Sequence, residues 1–341
     1  MMRGVVTNRE ALRQYVEGFL QGERCAFLGF FPLSDGSVGL SLRQKPPLEF
    51  VLINPFFSFN SARFLHRILN PSYRIFSLLR PCEVRAYVEL TKLNQVRGDN
   101  FVVFSVDCFG TLSLKGDVPP TLPEGPQELG KFLEEKGLLR WACKNCKDRG
   151  GKYGDGGVRF LSGGDLLLIP YTERGRDFLA NFGPWREVSP EELLLREAPE
   201  EDAEPPSFEL SELREAFSSC ILCKNCRDMC PICYCLDCLF DGGGFLPSGD
   251  DLLNLLWREQ VVDLPHNVLL YHFVRMYHVA QSCTACGACE EACPMNIPLT
   301  RFFKASSERI QRTFSYKAGG DFEEPLPFTT YREDELPDAS D

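Results

Sequence analysis

The chain has 341 residues, of which 44% are hydrophobic and 25% charged, and its net charge at neutral pH is −11. That composition is ordinary for a folded protein of two or three domains, and the acidic balance argues against nucleic acid and anionic membranes as partners. The outlier is cysteine, at sixteen residues; the opening MMRGVVTNREALRQYVEGFL lacks the apolar core of a secretion signal, so a cytoplasmic location is expected, where such a count reads as metal ligation and not as disulfides.

Residues 8–20 read as a short amphipathic helix, 25–33 and 48–54 as buried strands bounded by Gly and Pro, and 61–69 as a helix. A strand over 73–79, a helix over 84–93 and a strand over 100–107 follow. This alternation predicts an α/β layer with a largely parallel sheet. Two of the strands run into a cysteine, Cys82 in LLRPCE and Cys108 in FSVDCFG. Ligands gather at the carboxyl ends of strands in open α/β sheets, so these thiols are placed to share a site. A Pro/Gly-rich connector (116–126) and a helix (126–140) lead to WACKNCKD, with Cys143 and Cys146. One C-x2-C suits a metal or a redox dithiol equally. With Cys82 and Cys108 it completes the four thiols that a [4Fe-4S] cluster needs. A structural zinc, or ordinary buried thiols at Cys82 and Cys108, are the competing readings. Residues 150–180 are Gly-rich and read as turns between short strands. They hold no G-x-G-x-x-G after a strand and no P-loop, so the motifs name no flavin- or nucleotide-binding residue. Residues 187–206 are acidic, partly helical, and end in a linker.

Residues 208–220 form a helix that runs into the first of two copies of C-x2-C-x2-C-x3-C-P. The first is Cys220, Cys223, Cys226 and Cys230 before Pro231; the second is Cys283, Cys286, Cys289 and Cys293 before Pro294. Three thiolates from one tight loop fit one cubane, whose irons lie close together, and in two-cluster ferredoxins the fourth cysteine ligates the other cluster. The expected sets are Cys220, Cys223 and Cys226 with Cys293, and Cys283, Cys286 and Cys289 with Cys230. CYCLDC then adds Cys233, Cys235 and Cys238. These three could hold a further cluster, but no fourth ligand lies nearby in sequence, Cys25 being the one cysteine left over; ligand sharing among the seven neighbours, or packed reduced thiols, stay open. After a turn at 241–249, residues 252–281 read as helix broken near Pro265. Helices thus separate the two runs by more than fifty residues, which predicts a helical two-cluster ferredoxin module. His266, His272 and His278 fit structural roles better than iron ligation, and His278 is near enough to Cys283 to influence a cluster by hydrogen bonding. A closing helix (296–316) precedes an acidic tail (317–341), expected to be flexible or to wrap a partner. Exposed four-iron clusters are oxygen-labile, which points to an anaerobic host.

YHFVRMYHVAQSCTACGACEEACPMNIPLTRFF and SSCILCKNCRDMCPICYCLDC, with its CPICYC, resemble the formate dehydrogenase beta subunit, one of the flavin-dependent beta subunits of deazaflavin-reducing hydrogenases and dehydrogenases. In the front half LLRPCEVRAYVELTKL is similar to the PCE-x2-A segment of those proteins, VDCFG and the C-x2-C at Cys143 follow in the same order, and PYTERG fits downstream. The resemblance covers most of residues 70–315 and is most specific after 215. It implies a flavoprotein electron-transfer subunit of an anaerobic oxidoreductase complex: FAD beside a proximal cluster whose ligands map to Cys82, Cys108, Cys143 and Cys146, and ferredoxin clusters wired to a catalytic partner of formate dehydrogenase or hydrogenase type. Deazaflavin or NAD(P) is the implied hydride coenzyme. A flavin-free wire to a heterodisulfide-reductase-like complex stays open, and RPCE with a terminal two-cluster module is also similar to iron–sulfur subunits of sulfhydrogenases and anaerobic sulfite reductases. The chain shows no molybdopterin or nickel ligand pattern, so the formate or hydrogen site is expected on another subunit. The expected fold is α+β / α/β: an α/β flavin-type domain over 1–200 with the proximal cluster and FAD site, a linker over 201–207, a helical di-cluster ferredoxin domain over 208–316 and a tail over 317–341.

Overall fold

Successive side chains of a strand point to opposite faces of its sheet, and eight strands pair in the computed structural model of the chain. It describes residues 1–34, 37–68, 72–116, 119, 122–123, 125–195, 205–241, 249–260 and 268–331. In chain order the elements are β1 (Met2–Thr7), α1 (Arg9–Phe19), β2 (Cys25–Pro32), β3 (Val38–Arg43), α2 (Ala62–Ile68), β4 (Arg74–Leu79), α3 (Pro81–Lys92), β5 (Phe101–Val106), α4 (Pro126–Glu135), α5 (Trp141–Lys144), β6 (Gly156–Phe160), β7 (Leu166–Pro170), α6 (Glu173–Leu179) and β8 (Trp185–Val188). The cluster half follows as α7 (Leu210–Phe217), α8 (Asn225–Asp228), α9 (Gly249–Glu259), α10 (Val268–Val279), α11 (Ala288–Glu291) and α12 (Leu299–Thr313).

The strands form one sheet in the order β3-β2-β4-β5-β6-β7-β1-β8. Only the central ladders, β2 with β4, β4 with β5 and β5 with β6, are parallel; the outer ones are antiparallel. The sheet is therefore mixed and not largely parallel. Residues 48–54, expected as a strand, make one isolated bridge, Phe30 to Val51. One edge of β2 belongs to β3, and β4 covers the other from Cys25 to Leu28, so only the end of that edge is left for Val51. β1 had no signal of its own: it is short, carries Gly4, and gains its place only by lying between β7 and β8.

Alternation decides which face each residue serves. Ala26, Leu28, Ile75, Leu79, Phe101 and Val103 point to one core, while Phe27, Phe31, Phe76, Leu78, Phe104 and Val106 point to the other. The second face is closed by α1 and α6, with Phe178 stacked on Phe76 at 4.2 Å between centroids. The first face also takes Phe217, Tyr271, Phe302, Cys220 and Cys293. The sheet and the helical cysteine module thus share one hydrophobic core. A buried aromatic or leucine contributes about 2 kcal/mol, so this shared core fixes the module against the sheet.

α3 lies at that junction, buried almost throughout. Its Glu89 accepts from Gly319 N at 2.7 Å and Tyr316 Oη at 2.5 Å, and its Arg85 donates to the Ala318 carbonyl at 2.8 Å. Gly319 is held at φ +69°, and a Cβ there would sit 2.3 Å from the Arg85 carbonyl. Residues 317–331, expected as the start of a flexible tail, are instead laid across α3 and α12, and Phe328 N donates to Gln281 at 2.9 Å. The helix expected over 126–140 ends at Glu135, and Leu139 bridges back to Leu112. Residues 196–204, 242–248, 261–267 (with His266 and the expected break at Pro265) and 332–341 lie outside the described residues.

Candidate electron-transfer centres

The parallel pair β4 and β5 delivers two cysteines to one end of the sheet. Cys82 opens α3, and Cys108 follows β5. α5 adds Cys143, and Cys146 comes just after it. All four line one narrow cavity, together with Cys286 from the second cysteine run. Thr284 Oγ1 donates to the Cys82 carbonyl at 3.4 Å, which ties that run to the front site. Burial pushes the Cys108 thiol up to about 12 and raises Cys82 as well. Cys143 differs: burial opposes ionisation, but Arg140, with Nε 3.3 Å from Sγ, and Thr111 N at 3.3 Å hold its thiol below the ordinary value. Buried thiols of this kind need nearby positive charge to ionise, which the irons of a bound cluster would bring.

Arg80 brings a second buried charge into the field of Cys82 and Cys108. It donates to Glu83 at 2.8 Å, to Thr111 Oγ1 at 2.8 Å and to the Phe57 carbonyl at 2.6 Å. Burial works against the Glu83 charge, yet Arg80 outweighs it and keeps the carboxyl below its usual range. On the opposite side of β5, Asp107 accepts from Arg159 Nε at 2.5 Å, Gly151 N at 2.8 Å and Phe160 N at 2.9 Å, fixing the loop that positions Cys108.

The two C-x2-C-x2-C runs fold alike. Leu222 and Lys224 have φ of +51° and +63°, and the matching Ala285 and Gly287 have +51° and +78°. In each, the amide two residues past the first cysteine approaches its sulfur at 3.4 Å, Leu222 N to Cys220 and Ala285 N to Cys283. Left-handed residues flanking the middle cysteine turn backbone amides inward, the concave arrangement that suits an anion. The short helices α8 and α11 then carry the third cysteine of each run. Cys220, Cys223, Cys226 and Cys293 line one cavity. Cys230 is in side-chain contact with Cys233 and, more weakly, in the field of Cys289, and Cys289 lies in that of Cys286 and Cys283. Among the described residues no three His, Cys, Asp or Glu side chains converge as ligands of a single metal ion; a cubane asks for less convergence, because each thiolate holds a different iron.

α10 presents a stripe at helical spacing, Val268, Tyr271, His272, Arg275, Met276 and Val279, to these runs. His272 Nε2 is 3.3 Å from Cys220 Sγ, and its ring stacks on Phe217 at 4.0 Å. Burial, and then the charge of Arg275, push its pKa down to about 3. Arg275 is 2% exposed and donates to Cys226 Sγ at 2.9 Å and the Cys226 carbonyl at 3.1 Å. Arg80, Arg140 and Arg275 escaped the sequence reading because nothing local marks an arginine that ends up buried beside a thiol.

Cys233, Cys235 and Cys238 line a further cavity of about 330 Å³ with His278, and the Cys233 thiol also contacts that of Cys230 in the first run. Cys25 joins none of these groups. It is buried at the start of β2, with its thiol 3.7 Å from the Glu23 carbonyl.

A cavity of about 520 Å³ lies between the front site and the second run, and Cys146 and Cys283 both border it. Arg85, Lys147, Lys152, Lys304, Arg312 and Lys317 line it against two carboxylates, Asp148 and Glu308. In a chain of net charge −11 this is a concentrated excess of cations.

A family model described as a 4Fe-4S dicluster domain matches residues 216–297, the span that holds both cysteine runs. The chain is an iron–sulfur electron-transfer protein. It is 28% identical to the "F420-dependent formate dehydrogenase subunit beta" of Methanocaldococcus jannaschii, over 74% of this chain and 76% of that one. It is 26% identical to the "F420-dependent formate dehydrogenase 1 subunit beta" of Methanococcus maripaludis, over 72% of this chain and 73% of the other. The resemblance carried by the cysteine motifs thus extends beyond the dicluster span into the front half, and the chain is of oxidoreductase type. No helix among the described residues is long and apolar enough to cross a membrane.

Proposed function

We propose that this chain is the flavin-bearing iron–sulfur subunit of a formate dehydrogenase-type complex. It relays electrons between a catalytic site on a partner subunit and a hydride-carrying coenzyme, a deazaflavin in the first place. Cys82, Cys108, Cys143 and Cys146 hold a proximal [4Fe-4S] cluster. Cys220, Cys223 and Cys226 with Cys293, and Cys283, Cys286 and Cys289 with Cys230, hold the two ferredoxin clusters. The proximal site and the second run adjoin through Cys286, and the two runs share ligands, which makes a continuous series of one-electron stations.

The observation that carries the reading is the basic cavity bordered by Cys146 and Cys283. Its size falls in the range of small-molecule sites. Its cations suit a pyrophosphate, and Arg85, Lys304, Arg312 and Lys317 are the residues that would hold one. A bound flavin would supply the exchange between two-electron hydride and one-electron clusters; the chain supplies position, charge and contact with both cysteine sites. Similarity to beta subunits named as F420-dependent supports the deazaflavin.

Anaerobic purification followed by flavin and iron analysis tests this. The expected result is about one flavin per chain, lost in Lys304→Glu/Arg312→Glu while iron is retained, together with reduction of a deazaflavin by the reduced complex. Wild-type protein without flavin would replace this reading with a flavin-free wire. Flavin that survives the double substitution would move its site elsewhere.

A further inference from the structure

The sequence leaves Cys233, Cys235 and Cys238 one ligand short. The fold brings that ligand from α10, forty residues on. We propose that Cys233, Cys235, Cys238 and His278 form a fourth [4Fe-4S] site, with three thiolates and one imidazole. Three observations support it. All four side chains border one cavity, although Cys238 and His278 come from separate elements. That cavity, about 330 Å³, is far larger than a single ion needs and has room for a four-iron core. The surroundings also suit an anionic cluster, since Arg227 and Arg275 line the same space, and Arg275 Nη2 lies 4.0 Å from Cys233 Sγ.

The chain path explains the geometry. Pro231 and Ile232 are buried, so the backbone leaves the first run along the core and turns outward. Arg63 Nη1 holds the Cys233 carbonyl at 2.9 Å, and Lys224 Nζ holds the Phe240 carbonyl at 2.6 Å. The loop is thus tied at both ends, with Cys235 exposed between them. His278 sits on the exposed side of α10, off the stripe that packs on the ferredoxin runs, and so is available to a different group.

The test compares full-length wild-type protein, purified anaerobically, with Cys238→Ala and His278→Cys. Iron and acid-labile sulfide are counted as differences from wild type, so the result does not depend on whether the proximal cluster or the flavin is present. Cys238→Ala is expected to lose about four irons and four sulfides while the electron paramagnetic resonance of the ferredoxin clusters persists. His278→Cys is expected to keep the iron and to lose the nitrogen hyperfine coupling of a directly bound imidazole. Unchanged iron in Cys238→Ala overturns the proposal, as does one zinc in place of the four irons. If Cys238→Ala collapses and loses all its iron, the nitrogen coupling decides: present in wild type and absent in His278→Cys supports the site, and its absence from wild type overturns it.

Discussion

Arg275 brings a full positive charge, 2% exposed, against the sulfur of Cys226. It is kept there by the α10 stripe and packs its guanidinium 4.9 Å from the centre of the Phe303 ring. A reduced cluster is one charge more negative than an oxidised one. A cation donating to its thiolate therefore stabilises the reduced form more and raises the potential. A hydrogen bond to a charged group contributes about 1.5–3 kcal/mol. Its loss in Arg275→Gln is expected to lower the potential of the cluster proposed at Cys226 by on the order of 100 mV at 59 mV per tenfold. A redox titration followed by electron paramagnetic resonance measures this, and a potential within about 20 mV of wild type would rule the role out. His272 meets the Cys220 sulfur at 3.3 Å through Nε2 and is held there by its stack on Phe217.

The two cysteine runs are one element used twice, and the pairing of left-handed positions shows where the repeat is exact in form and where it is not. The second run has Gly287 at the position where the first has Lys224. The lysine is tolerated because its side chain points outward to the Phe240 carbonyl. The glycine is required because a Cβ there would lie 2.5 Å from Ala142 Cβ, on the helix that carries Cys143. Close approach of the second run to the proximal site depends on that missing side chain. Gly287→Ala is expected to cost about 2–4 kcal/mol from left-handed strain and the clash together, and to lower iron at both the proximal site and the second run. Lys224→Gly, at the matching position, is expected to change stability by less than about 1 kcal/mol. Thermal melts and iron counts of the pair check this; equal effects of the two substitutions would contradict it.

At the scale of the whole molecule, Asp148 joins three parts that are distant in sequence. It accepts from Arg85 of α3 at 2.7 Å and from Lys317 beyond α12 at 2.6 Å, and Tyr153 also donates to it. Burial opposes its charge, but Arg85 and then Lys317 hold the carboxyl well below the usual range. Asp148, Arg85 and Lys317 all lie on the wall of the basic cavity. Asp148→Asn keeps the volume and leaves Arg85 buried without its partner, so a loss of about 3 kcal/mol is expected; the exposed half of the bridge, to Lys317, adds little. Denaturant midpoints measure it, and a loss below about 0.5 kcal/mol would show the junction to be held by packing alone.

The sequence by itself determined the chemistry. Cysteine spacing within a run is a property of a few consecutive residues, so C-x2-C-x2-C-x3-C-P carries its meaning into any fold. The strands β2, β4 and β5, the helices α1 and α3, and the placing of Cys82 and Cys108 after neighbouring strands were legible for the same reason, as local periodicity with a local stop. Only the tertiary structure decided what depends on pairing across the chain: the antiparallel outer strands, the place of β1, the gathering of Cys143 and Cys146 with Cys82 and Cys108, and the position of His278 beside Cys233, Cys235 and Cys238. It also decided where the cations go. Lys304 and Arg312 on α12 and Lys317 after it carry no local sign of a site, and Lys317 joins the cavity wall because Glu89 and Asp148 hold the tail against α3.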